Sequence, residues 1–343
     1  MRPNVKYCDI LKYRIFFISI SVLGTLSSLY AEQTTNRNSI LETIVQGVSY
    51  RDSLIKSVVV NFNFEKYGIF ECGANENDTD NKNYSWKGKA CFFTKDDKMR
   101  LDMDYIQTVY AGSTDPHGGG GGKIFVIKKT DYYSPNSLQT LDKTEKKLTI
   151  EASPVPLPSL LPLSFGLNWD TTMKTNIEVR RFGDVLSNLM KQGVLSFGGE
   201  EVFEGTKCYV LERAYSRGKV KLWIAPSKGY STMRMTISEL ASKGDSKREL
   251  IMHERVCTVT NIAGDLWFPL SGVEKYYSVS RSSTTIENIK LYIDRETRID
   301  VTGYELNKVS DNDVTPPDSN SGEYNEVWDV KINKLIRLKK NPH

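Results

Sequence analysis

Histidine is scarce in this chain. Only three occur in 343 residues, and one of them is the last residue. That leaves little for histidine-based metal sites or histidine-dependent catalysis. No Cys-x-x-Cys occurs, so a thioredoxin-like redox centre is unsupported, and no cysteine spacing suits structural zinc. No Gly-x-Ser-x-Gly occurs either, so the hydrolase nucleophile elbow is absent. The five glycines Gly118–Gly122 before Lys123 lack the spaced glycines of a phosphate loop, and Ile124 stands where Ser or Thr would hold magnesium. Nor is there a charge excess in the body. Residues 1–31 carry Arg2, Lys6, Lys12 and Arg14 against Asp9, which leaves 42 basic and 41 acidic residues for the rest. Such a body has no drive to bind a polyanion, and no nucleic-acid partner is expected. These absences together point away from an enzyme, and no catalytic residue, cofactor or metal is assigned.

What is present begins with an export pattern. The basic residues 1–14 precede a charge-free stretch from Ile15 to Leu29, with Ala31 just beyond. This is the layout of a signal peptide over 1–31, cleaved after Ala31, and the stretch is shorter than a bilayer-spanning helix. The alternative is an uncleaved signal anchor. Cys8 lies before the apolar core, so it is not a lipobox cysteine. No later stretch reaches transmembrane length. A periplasmic body over 32–337 follows, with a polar tail at 338–343. Cys72, Cys91, Cys208 and Cys257 remain for an oxidising compartment. Cys72 and Cys91 flank a polar loop and are the favoured disulfide pair, with free thiols as the alternative, above all for Cys208 and Cys257.

Ser39 and Glu42 form a capping box in front of Ile40, Leu41, Ile44, Val45 and Val48 at helical spacing, which predicts a helix over 39–56. A second apolar stripe predicts a helix at Phe182–Lys191. The rest reads as strand. Val58, Val60, Phe62 and Phe64 alternate with polar residues, as do Met99, Leu101, Met103 and Tyr105, with a hairpin turn at Asp96-Asp97. Further strands are expected at 85–94, 123–129, 145–152, 195–203, 207–214, 219–225, 230–240, 249–262, 267–280, 285–294 and 325–337. The turns between them are short, which joins antiparallel neighbours. In 249–262, His253 reads as sharing a face with Ile251, Arg255 and Cys257, as a hydrogen-bonded or solvated strand histidine. Trp223 and Tyr230 flank the turn at Pro226–Gly229 and are expected to pair across it. Loops are expected at 71–83, 112–122 and 153–163. The last mixes four prolines with leucines and is read either as a lid or as a buried connection.

The fold class that follows is α+β, mostly β: a single strongly curved antiparallel sheet, a half-barrel, with one or two helices on its concave side. A sheet this long twists and coils, and its concave face must be filled by side chains or by an apolar ligand.

Several stretches carry a resemblance. A helix after a signal peptide leads into SVVVNFNFE. The paired strands KGKACFFTKDDKMRLDMD follow. FEGTKCYVLE and VKLWIAPSKGYSTMRM supply Gly205, Cys208, Tyr209, Leu211, Trp223, Pro226, Lys228, Gly229, Tyr230 and Arg234, and LWFPLSGVEKYY supplies Trp267 and Pro269. Over roughly 38–337 the chain resembles the periplasmic lipoprotein-carrier superfamily, the LolA/LolB-like proteins. By strand position, Arg100 is nearest to the family's helix-latching arginine. The resemblance implies a non-enzymatic carrier that holds a lipid acyl chain or a lipidated protein in an apolar groove, with transient membrane contact. Phe62, Phe64, Met99, Leu101, Met103, Ile289, Leu291 and Ile293 are the expected lining, and methionines suit a groove that adapts to variable chains. The alternative is an envelope interaction module with the same fold and a filled core.

Overall fold

The computed structural model describes residues 37–68, 84–96, 98–109, 123–134, 137–151, 182–243, 246–279, 289–318, 321–330 and 332–338. The chain divides into two units, residues 1–43 and 44–343, and the architecture below is that of the second.

Helix α1 (37–53) crosses that division. Its second-unit part buries Ile44, Val45 and Val48, the stripe expected from the 3.6-residue period. After it come β1 (Ser57–Gly68), β2 (Tyr84–Lys95), β3 (Lys98–Val109), β4 (Lys123–Ser134), β5 (Ser137–Asp142) and β6 (Lys147–Glu151). Helix α2 (Phe182–Lys191) precedes β7 (Ser196–Phe203), β8 (Thr206–Tyr215), β9 (Gly218–Ala225), β10 (Ser231–Lys243), β11 (Ser246–Ala263), β12 (Leu266–Val279) and β13 (Leu291–Leu306). A closing hairpin holds β14 (Glu326–Asp329) and β15 (Lys334–Arg337).

All fifteen strands belong to one sheet, in the order β15-β14-β6-β5-β4-β3-β2-β1-β13-β12-β11-β10-β9-β8-β7. It is the expected mostly-β α+β architecture, and the sheet stays open, with β15 and β7 as its edges. Every described pairing is antiparallel except one: β14 runs parallel to β6. The sheet is therefore mixed rather than purely antiparallel. A parallel neighbour needs a long crossover, and here the chain between β6 and β14 includes α2 and β7–β13. Two further differences concern extent. The expected strand 325–337 breaks into the β14–β15 hairpin. The strand expected at 285–294 is instead β13, which runs on to Leu306 in the middle of the sheet between β1 and β12. Its charged residues Glu296, Arg298 and Asp300 hid the alternation of Thr297, Ile299 and Val301. β5 was not expected at all.

The helices are tied by their own side chains. The Asp52 carboxylate accepts the Gly183 amide at 2.7 Å, an acid at the N-terminus of α2. Arg51 pairs with Asp52 and donates to the Tyr230 carbonyl. Tyr230 does not face Trp223. Its ring lies against Gly47, where a Cβ would come within 2.4 Å of it, and the strand partner of Trp223 is Arg234. The β9–β10 turn runs through Gly229 and Tyr230, both at positive φ, a conformation that glycine adopts without strain.

One sheet face carries the main core. Val58, Val60, Phe62 and Phe64 of β1, Phe92 of β2, Met99, Leu101 and Met103 of β3, and Ile299 of β13 pack together there with Cys257 and Phe268. On the opposite face, Tyr132, Leu141 and Leu148 pack with Tyr324 from the segment before β14. Residues 1–36, 71–83, 112–122 and 153–163, with the signal peptide and the three expected loops, lie outside the described residues. So does Cys72; among the described residues Cys91, Cys208 and Cys257 carry free thiols. Burial pushes the Cys91 thiol up to about 11 and the Cys257 thiol to about 12, so neither is a ready thiolate.

Candidate binding face and its polar end

Register brings the chemistry together. Phe62 and Phe64 occupy successive inward positions of β1, and the next two are Lys66 and Gly68. Lys66 pairs with Trp86 on one side and Thr297 on the other. Thr297 pairs with Glu274, and Glu274 with Arg255. One transverse row therefore reads Trp86, Lys66, Thr297, Glu274, Arg255 across five neighbouring strands. The next row reads Tyr84, Gly68, Arg295, Tyr276, His253. Paired residues share a face, so both rows continue the apolar face past Phe64.

The first row is buried at its β12 end. The Glu274 side chain is fully buried, and Arg255 is 5% exposed. Glu274 Oε1 accepts from Arg255 Nε at 2.5 Å and from Tyr276 OH at 3.1 Å, and lies 2.9 Å from His253 Nε2. Burial pushes the Glu274 carboxyl up, but the Arg255 cation and the bonds from His253 and Arg255 win and hold it down at about 2. Burial lowers His253, and its ring stacks on Tyr276 at 4.1 Å. It is thus the hydrogen-bonded strand histidine, but it does not share a face with Ile251. A bulge at Met252 turns Ile251 to the other side.

The other Glu274 oxygen, Oε2, has no partner. Six buried side-chain polar atoms among the described residues lack one, and four of them sit in these two rows: Trp86 Nε1, Glu274 Oε2, Arg295 Nε and Thr297 Oγ1. Native interiors leave few such groups, because each costs about 1–3 kcal/mol. Lys66 completes the set. Its ammonium lies 4.7 Å from the Trp86 ring centroid, and the Arg295 guanidinium stacks 4.1 Å from the Tyr276 ring. Burial first, then the Arg295 charge, lowers the Lys66 ammonium to about 8 against the pull of Glu274.

The expected lining divides into two groups. Phe62, Phe64, Met99, Leu101 and Met103 are one cluster, each 6% exposed or less. Leu291 and Ile293 do not join it. Asp294 is an extra residue between the Tyr276–Arg295 and Tyr277–Ile293 pairs, so Ile293 shares the face of Tyr277, opposite Arg295. Both are half-buried, as is Ile289, whose carbonyl accepts from Arg248. Among the described residues Arg100 makes no hydrogen bond or ion pair to α1 or α2. It grips Asp102 at 2.6 Å and donates to the Asp313 carbonyl at 3.3 Å, which ties the 311–315 segment to β3. Lys66, Trp86, Glu274, Arg295 and Thr297 were missed. Their signal was polarity at the same parity as Phe62 and Phe64, which only the strand register makes visible.

A second surface feature lies on β4. Ile124, Phe125 and Val126 are 69%, 45% and 63% exposed. β3 pairs with this stretch, but β5 begins its pairing only at Lys129. Lys123–Ile127 thus shows a backbone edge with no strand partner among the described residues, and Ile106 of β3 beside it is 50% exposed. Among the described residues no cluster of His, Cys, Asp and Glu is arranged to hold a metal, and no helix is long and apolar enough to cross a membrane.

Neither a protein-family model nor a curated protein sequence matches the chain. Solved structures similar to it include a DUF1329 family protein from Desulfovibrio piger, with 10% identity and a TM-score of 0.39, covering 80% of this chain and 97% of that one. A LolA superfamily protein from Nitrosomonas europaea is similar at 11% identity and a TM-score of 0.37, over 80% of this chain and 97% of that one. A conserved protein from Thermus thermophilus is similar at 7% identity and a TM-score of 0.31, over 84% and 98%.

Proposed function

We propose that the chain is an exported, non-enzymatic binding protein that holds the apolar chain of a lipid or lipidated protein against the inner face of its sheet. One observation carries the reading. A continuous apolar face, rich in phenylalanine and methionine, runs straight into polar rows with four buried atoms left without a hydrogen-bond partner. The Glu274–Arg255 pair serves the fold, but those four atoms do not, and an amphiphile matches the apolar face and the open polar atoms end to end. The five lining side chains are closed to solvent, so loading opens the face first. Titration with a fluorescent fatty-acyl probe, followed by hydrogen exchange, tests this. Saturable binding with altered exchange in β1 and β3 supports it, and no saturable binding at probe concentrations below micelle formation removes it.

The exposed edge of β4 favours a second reading, an interaction module that adds an extended peptide segment as a strand beside Lys123–Ile127. A peptide that binds there protects β4 amides and leaves β1 exchange unchanged.

A further inference from the structure

The two polar rows have a charge as well as a hydrogen-bond deficit. Lys66, Arg255 and Arg295 face one carboxylate, Glu274, on this side of the sheet. Arg255 is already bound to Glu274 Oε1. Among the described residues neither Lys66 nor Arg295 has an ion pair of its own, and Glu274 acts on Lys66 only through its field. The neighbouring acids Glu254 and Glu296 serve the other face, where they bind Arg234 and Arg298. The unused atoms are mostly donors: Trp86 Nε1–H, Arg295 Nε–H and the Thr297 hydroxyl. They come from β2 and β13, with Lys66 on β1 between them. Thr297 and Glu274 are fully buried or nearly so, which makes the deficit internal rather than a matter of exposed surface.

Donors from three neighbouring strands, with two cations that lack an ion pair among them, match an anion with several oxygens. We propose, resting on the amphiphile reading above, that this polar end seats the phosphate of a lipid head group while the chain lies along the Phe62–Phe64 and Met99–Met103 rows. Arg295 and Lys66 supply the charge, and Trp86 and Thr297 supply oriented hydrogen bonds. Glu274 Oε2 accepts from a hydroxyl or ammonium beside the phosphate. Lipids with the same chain but no acidic head leave the donors unpaired and bind less well.

Calorimetric titration of the full chain with decyl phosphate, decanol and inorganic phosphate tests this. Decyl phosphate is expected to bind at least tenfold more tightly than decanol. Arg295→Gln and, independently, Lys66→Gln are each expected to weaken decyl phosphate about tenfold and to leave decanol within twofold. A thermal melt of each variant shows that it is folded, and two separate variants guard against one that is not. If decyl phosphate and decanol bind equally, the phosphate seat is wrong while the apolar reading stands. If neither binds, the apolar reading fails with it. If inorganic phosphate alone binds as tightly as decyl phosphate, the site takes a free anion and the lipid head group is overturned.

Discussion

Replacing Glu274 by glutamine keeps the side chain's shape and an accepting oxygen but removes its charge. Arg255, 5% exposed, then becomes a buried cation without its counter-charge. Breaking a buried pair in this way costs about 3–5 kcal/mol. Linkage gives a figure of the same size. A carboxyl held at about 2 against an ordinary 4.5 contributes roughly 3 kcal/mol at neutral pH. The sign follows from the depressed value: the contribution is complete above about pH 4.5 and is lost as pH falls towards 2. Urea denaturation at about pH 7 and about pH 3 measures it on four proteins: wild type, Glu274→Gln, Arg255→Met and the double variant. At neutral pH the glutamine variant should lose about 3–5 kcal/mol, and in acid less than half of that gap should remain. The double variant should lose clearly less than the two single losses added, because it leaves no stranded charge. A glutamine variant within about 1 kcal/mol of wild type at neutral pH, or a gap that does not respond to acid, would refute the pairing argument.

Three further outcomes are expected. Leu101→Ala empties a site that is fully buried among Phe62, Phe92 and Met99, so it should cost about 2–5 kcal/mol in the same denaturation assay. Lys66→Met removes an ammonium whose value is lowered from 10.5 to about 8. Between those values the unfolded chain holds a proton that the folded one has released, so wild-type stability climbs with pH across that window; the variant should be the more stable protein near pH 7 and lose the advantage by about pH 10.5. Val126→Lys, on the exposed edge of β4, should leave stability within about 0.5 kcal/mol and reduce concentration-dependent association in light scattering.

The sheet was legible because its strands obey simple rules. The alternation in Val58–Phe64 and Met99–Tyr105 assigned faces correctly, and the α2 stripe from Phe182 to Met190 marked the helix. Short turns such as Glu204-Gly205, both at positive φ, set the antiparallel order. What stayed hidden depends on long-range pairing. β13 sits at the centre of the sheet but carries charges on its outer positions, so Arg295–Leu306 did not look like a buried strand. The parallel docking of β14 on β6 joins residues far apart in sequence. The bulges at Met252 and Asp294 each insert one residue and invert the parity beyond them, which moved Ile251 and Ile293 off the faces that plain alternation gives. For the same reason the polar end escaped notice: Trp86, Lys66, Thr297 and Glu274 come from four strands, and no local pattern links them.

Native mass spectrometry of the full chain, purified from a lipid-containing bacterial host, decides whether the inner face carries a lipid. A non-covalent adduct of phospholipid mass is expected, one that persists through gentle desolvation and is lost or strongly reduced in Arg295→Gln. A wild-type spectrum showing the bare polypeptide alone, from protein with a cooperative thermal transition, would contradict it.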